Sequence, residues 1–300
     1  MATNPDILPP PTPLGPPPSA TPKPSISAEI NAATRKQHTE LNRLIIDRLP
    51  LALPPTAKTP AVYTLGLSAF AQIFFAFEAA FTDLATAEAA RDQQPEAASS
   101  AYHAHELRKW LITLRPEGLA RSASLTMDLR HLHRAKQAVL SQDECAHIKR
   151  QVVDYYLAKP HVLVAYTWVM YMAIFSGGRW IRQQLASAGP EFWAAPVPMD
   201  EKTTSLPGFS FLSFPSSDQD GEDIKAEYKT RLAEAERLLT PAERQDVVEA
   251  ARLLFEQCIE IVHFLDREVA KQRVRRPSLA LAAAVVAAVL LIYYVLTSGA

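Results

Sequence analysis

The run YTWVMYMAIFSGGRWIRQQL, residues 166–185, is apolar on nearly every side and yet carries two adjacent glycines, Gly177 and Gly178. Such a run is too long for one strand, so it predicts a helix buried in a core, spanning about 161–188. Two glycines inside a helix cost ~2 kcal/mol of propensity. That cost fits either of two uses: close packing of a neighbouring helix, or a kink that lets a flat ligand lie against the backbone. Pro160 separates this helix from another expected over 143–158.

Further upstream, residues 103–115 and 121–140 read as helices joined at Pro116-Glu117-Gly118. Residues 86–100 read as an exposed loop. Residues 61–84 are apolar nearly all round and so predict a central helix. Residues 27–49 carry an amphipathic pattern, with Ser27 as cap, Glu29 at the positive end, and Thr34, His38, Leu41 and Ile45 recurring on one face. Pro50, Pro54, Pro55 and Pro60 end that helix. Downstream, residues 189–221 read as a structured loop and 222–239 as a polar helix. Thr240-Pro241-Ala242-Glu243 is a capping box with proline at the first helical position. It opens a helix with the stripe Val247, Ala251, Leu254, Cys258, Ile261 and Leu265. No strand pair is legible, so the expectation is one all-α domain over 25–272.

Of the 300 residues, 48% are hydrophobic and 21% charged, enough for a sizeable core, and the net charge of −1 argues against a global field for nucleic acid. Cys145 and Cys258 form no CxxC or metal-like cluster, which fits buried thiols in a reducing compartment.

The two ends differ in kind. Residues 1–24 hold ten of the 24 prolines and no signal-type apolar segment, so they predict a disordered, partly polyproline II arm. Its PxxP spacings fit either a solvated spacer or a ligand for an SH3 or WW partner. Near the C-terminus, Leu279 to Leu296 is an uncharged apolar run, preceded over 273–278 by a basic linker with Arg273, Arg275 and Arg276. At ~1.5 Å per residue the run spans ~27 Å, which suits a thin, endoplasmic-reticulum-like bilayer. The positive-inside rule then keeps all that precedes it in the cytosol: a single-pass, tail-anchored protein.

Three features could carry chemistry. His38 sits at helical spacing among apolar residues, as either a boundary histidine or an iron ligand. Ser176-Gly177-Gly178 is the second. Lys225 and Lys229, at i and i+4 on one helix face, form either a solvated face or a grip on paired carboxylates.

Taken together, these features resemble the heme oxygenase family. Ala33-Thr34-Arg35-Lys36-Gln37-His38-Thr39 is similar to the family's proximal Ala-Thr-x-x-x-His-Thr, with His38 at the axial iron ligand. Ala173-Ile174-Phe175-Ser176-Gly177-Gly178 is similar to the distal Gly-Asp-x-Ser-Gly-Gly. Gly208 through Pro215, Lys225 through Arg231, and Pro116-Glu117-Gly118-Leu119 with Asp128-Leu129 agree in collinear order over roughly 27–270. The resemblance implies a heme-oxygenase-like multi-helix fold with heme, as substrate and prosthetic group, between the His38 helix and the Ser176-Gly177-Gly178 helix. Lys225 and Lys229 would face the heme propionates. It implies O2 and electrons from a membrane-bound NADPH-dependent reductase, with biliverdin, iron and CO as products. One departure matters: the family's distal aspartate, which holds the water that feeds protons to O2, is Ile174 here, with Ala173 in place of the preceding glycine. A non-catalytic heme carrier, buffer or sensor is therefore the competing expectation.

Overall fold

The structure, a computed structural model, describes residues 23–91, 99–134, 140–193 and 208–298, those beyond 271 as helical backbone alone. Most of the proline-rich arm and its PxxP spacings lie outside the described residues. Every regular element among those described is helical, as the sequence predicts.

The first helix is not one element but two. α1 (Ile26–Ala33) is capped by Ser25 rather than Ser27: the Ser25 hydroxyl accepts the Ala28 N–H at 3.2 Å. The chain then turns at Thr34 (φ −105°, ψ 5°) and restarts as α2 (Arg35–Arg48). The cause is local: the Thr34 hydroxyl donates to the Ile30 carbonyl at 2.8 Å, a back-bond that bends helices.

α3 (Ala61–Arg91) is central, touching α4 (Ser99–Thr113), α5 (Ser122–Arg134), α6 (Gln142–Ala158), α7 (Leu163–Ser187) and α9 (Pro241–Ser298). Its buried polar side chains satisfy themselves along the helix: Thr64, Ser68 and Gln72 each donate to the carbonyl four residues back. α3 runs past the expected boundary at 84 because Glu88, only 3% exposed, is gripped by His105 and Arg108 of α4. A 3-10 turn over Pro160–Val162 leads into α7, whose first nine residues are all buried. α8 (Glu222–Ala235) ends in a 3-10 turn at Glu236–Leu238, before the expected 239.

The capping box forms as read. The Thr240 N–H donates to Glu243 at 2.8 Å, and the Glu243 N–H donates to the Thr240 hydroxyl at 3.2 Å. The helix it opens, α9, includes residues 273–278 and 279–296 without a break. Among the described residues, α3 and the segment Pro160–Ser187 are long and apolar enough to cross a membrane, but both are mostly buried in the core.

Contacts along α9 set the register. Glu29 pairs with Arg244, His38 meets Phe255, and Arg48 pairs with Asp266, so α1–α2 runs parallel to α9. α7 starts beside it, His161 meeting Asp246 at 3.0 Å. α3 is antiparallel to α7: Phe77 packs on Tyr166, while Tyr63 packs on Trp193, whose indole donates to the Leu185 carbonyl. Gly66 near the start of α3 lies against Leu265 of α9. Hence α1–α2, α7 and α9 all run the same way.

Candidate functional site

The two glycines of α7 have different surroundings. A Cβ on Gly178 would lie 3.4 Å from Leu212 and 3.6 Å from Ile174, so this glycine is buried in packing. A Cβ on Gly177 would meet nothing within 4 Å. Ala173, Ser176 and Trp180 are exposed around it. These positions recur at helical spacing, so the second half of α7 keeps one open stripe of small side chains bordered by a half-exposed indole.

His38 is exposed, which corrects the expected apolar face: among Thr34, His38, Leu41 and Ile45 only Thr34 is buried, and α2 buries Leu44 instead. The reason is tertiary, since α2 lies on α9 and takes its inner face from that contact. The His38 ring touches the edge of Phe255, centroids 5.9 Å apart. It has no hydrogen-bond partner among the described residues, so both ring nitrogens remain available.

A direct tie joins α1 to α7. The Trp168 indole of α7 donates to the Asn31 side chain of α1 at 2.9 Å. From that tie α1–α2 and α7 run in the same sense. Seven residues past Asn31 stands His38; seven to nine past Trp168 stand Phe175, Ser176 and Gly177. By residue count from that tie, His38 falls toward the Phe175–Gly177 turn of α7.

α8 runs antiparallel to α7 along the stripe Trp168, Tyr171, Phe175, Arg179 and Arg182. Tyr228 stacks on Trp168 and donates to the Thr167 hydroxyl at 3.0 Å, while Arg179 and Arg182 reach Glu222 and Asp220 at the other end. Lys225 lies midway between these two ends along α8. Its ammonium lies 3.3 Å from both carboxylate oxygens of Glu222. Lys229, one turn on, is exposed and unpaired among the described residues.

The acidic members of this cluster stay ionised. Hydrogen bonds from Arg182, outweighing burial, hold Asp220 below the usual aspartate range. Burial pulls the Glu222 carboxyl up, but the hydrogen bonds from Lys225 and Arg179 together bring it below its usual range.

Behind α7 the core is polar but committed. Glu78, 4% exposed, accepts the N–H groups of Arg121 and Ser122 at 2.8 and 2.9 Å and the Tyr171 hydroxyl at 2.8 Å. Burial, with Glu78 beside it, pushes the Tyr171 phenol well above its ordinary pKa. Ile174, on the same side, is 6% exposed. Asp128 accepts from the Gly208 and Phe211 N–H groups and the Ser210 hydroxyl at 2.8–3.0 Å. Arg121 donates to the Ser213 carbonyl at 2.7 Å and covers the Phe214 ring. Phe214 stacks flat on Phe175, centroids 5.0 Å apart. The motif segments around Pro116, Asp128 and Gly208–Pro215 thus form one buttress that presses Leu212 onto Gly178 and holds α7.

Sequence reasoning missed Asn31, Trp168 and Tyr228, which tie α1, α7 and α8 together below the site. The available signal was Tyr228 at four residues from Ile224 within an otherwise polar helix. Among the described residues no three His, Cys, Asp or Glu side chains form a metal-holding group, so His38 stands as a single ligand and not as part of a cluster. Two open recesses of about 570 and 610 Å³ lie elsewhere, one between Ala33 and the start of α9, one along the outer edge of α2 from Ala32 to Arg43.

The model of the heme oxygenase family matches residues 24–263. The chain belongs to the heme oxygenase family. Solved heme oxygenases share its fold. Heme oxygenase-2 from Synechocystis sp. PCC 6803, in complex with heme and NO, is 17% identical, with a TM-score of 0.59 over 83% of this chain and 88% of that one. Heme oxygenase-1 from the same cyanobacterium, in complex with heme, is 17% identical, TM-score 0.57, over 86% and 99%. Heme oxygenase 2 from Chlamydomonas reinhardtii, without heme, is 18% identical, TM-score 0.56, over 80% and 97%. No curated protein sequence matches the chain. At these identities the likeness is one of fold, and this heme oxygenase family member must be read from its own residues.

Proposed function

We propose that this protein binds heme between α2 and α7 and opens its ring, releasing biliverdin, iron and CO. One observation carries the reading: the His38 imidazole, with no hydrogen-bond partner among the described residues, lies by residue count from the Asn31–Trp168 tie toward the one glycine of α7 whose Cβ position is empty. The residues present fit a heme. His38 supplies a nitrogen ligand, Gly177 leaves room for a flat ring and a diatomic ligand, and Lys225 with Lys229 supplies cations for two propionates. Bound heme would contribute the iron at which O2 is reduced and the ring that is oxidised, with electrons from a membrane-held NADPH-dependent reductase.

The chain's own part is to bind, orient and deliver protons. Ser176 is exposed on the open stripe and carries a hydroxyl with no partner among the described residues. It is the proposed proton-handling side chain of the site, with water bridging from the backbone around Gly177. Ile174 cannot serve, and Tyr171 is spent on Glu78. That buried apolar Ile174 favours the second reading, a heme binder that leaves the ring intact.

One titration addresses both readings. Hemin added to the full chain in detergent should give a Soret band that His38→Ala removes or shifts. Adding NADPH and reductase should then yield biliverdin and CO. Heme that persists unaltered through reduction supports the second reading, and the absence of any Soret band defeats both.

We place the domain on the cytosolic face of the endoplasmic reticulum, anchored by Leu279–Leu296. Support comes from the length of that apolar run and the arginines before it. Release of the full chain from microsomes by alkaline carbonate would overturn the anchor.

A further inference from the structure

The ion pairs between α7 and α8 form an open chain rather than a closed set. Arg182 holds Asp220 through two hydrogen bonds of 2.8 and 2.6 Å. Asp220 accepts from Arg179 at 3.1 Å, Arg179 donates to Glu222 at 2.8 Å, and Glu222 accepts from Lys225 at 3.3 Å. Lys229 follows one turn later without a partner. With Lys229 included, this run has four cations and two carboxylates. It is short of two negative charges, and the shortage falls at the Lys225–Lys229 end of the run.

Glu222 can let go of Lys225 without being orphaned. If Lys225 turns away, Arg179 still donates to Glu222, and the first turn of α8 still favours its negative charge. Lys225 has no other partner among the described residues. Its side chain is 20% exposed, so its stem is packed while the ammonium keeps room to swing.

We propose that Glu222 is an exchangeable carboxylate gate: it occupies Lys225 in the free protein and is displaced by a ligand carboxylate, a heme propionate, on binding. The inference rests on the heme-binding reading above. It assigns Glu222 a role in binding strength and its salt dependence, and makes Arg179 the residue that keeps Glu222 when Lys225 leaves. The exchange trades one solvent-screened ion pair for another, so the gate is shallow.

The test compares hemin with its dimethyl ester, which lacks free carboxylates, by Soret titration of the full chain in detergent. Glu222→Gln keeps an oxygen for Arg179 and removes the competing charge. It should tighten hemin by about two- to fivefold at low salt, an effect that shrinks as salt rises, and leave the ester unchanged. Lys225→Gln should weaken hemin and abolish the gain from Glu222→Gln. Unchanged or weaker hemin binding by Glu222→Gln, with its thermal unfolding unaltered, overturns the gate. So does an equal gain for hemin and ester. If the unaltered chain shows no Soret band with either, the heme reading itself has failed, which is a separate result.

Discussion

A methyl group on Gly177 would meet open space, whereas one on Gly178 would press on Leu212. Gly177→Ala should therefore raise stability, by up to ~1 kcal/mol of helix propensity or a few degrees in Tm. The same methyl stands where the heme is proposed to lie, so hemin affinity should fall at least ~10-fold, 1.4 kcal/mol or more. Differential scanning calorimetry and hemin titration on one sample check both signs. A lowered Tm, or unaltered hemin binding, would count against the open-face reading. The two glycines are indistinguishable in the sequence, because what separates them is Leu212 on a remote loop. His38 misled in a similar way. Its spacing with Leu41 and Ile45 suggested a buried face, but the partner surface comes from α9, more than two hundred residues on. Its identity was legible through the motif Ala33–Thr39, while its exposure was not.

Two straps bind α1 and α2, the second carrying the proposed iron ligand, to α9, and burial ranks them. Arg244 has a side chain 6% exposed and holds both Glu29 and the Pro24 carbonyl, the latter at 2.7 Å. Arg48 grips Asp266 with side chains 30% and 43% exposed. Arg244→Leu takes a donor from Glu29, whose side chain is 24% exposed, and from the Pro24 carbonyl, so it should cost about 1–3 kcal/mol in urea unfolding. Arg48→Ala should cost under ~1 kcal/mol, since water replaces most of what it loses. Equal costs would contradict the ranking. Neither strap was visible in the sequence, where long-range pairing leaves no local mark. The Thr240–Glu243 cap was visible because all its parts lie within four residues. The break at Thr34 was local too, but it depends on which way a hydroxyl turns, and spacing alone does not report that.

Across the whole molecule, the collinear order of the motifs made the fold legible. It did not make the placement of α1 and α8 along α7 legible: that follows from the Asn31–Trp168 tie and the Tyr228 stack, contacts made by residues outside any motif. The common ruler is α9, which supports α2 and α7 along its first half and continues as helix through Ser298. If the far half is the anchor, the helix fixes azimuth as well as address. Each residue added between the domain and the apolar run turns the open face of α7 by ~100° about the α9 axis, and four bring it back to within ~40° of where it began. Ring opening driven by a reductase in the same bilayer should then drop on insertion of one alanine after Lys271 and recover on insertion of four, while turnover with a soluble chemical reductant stays level. On that reading α9 would work as a spindle, and the number of residues along it would aim the pocket at an electron donor in the same bilayer.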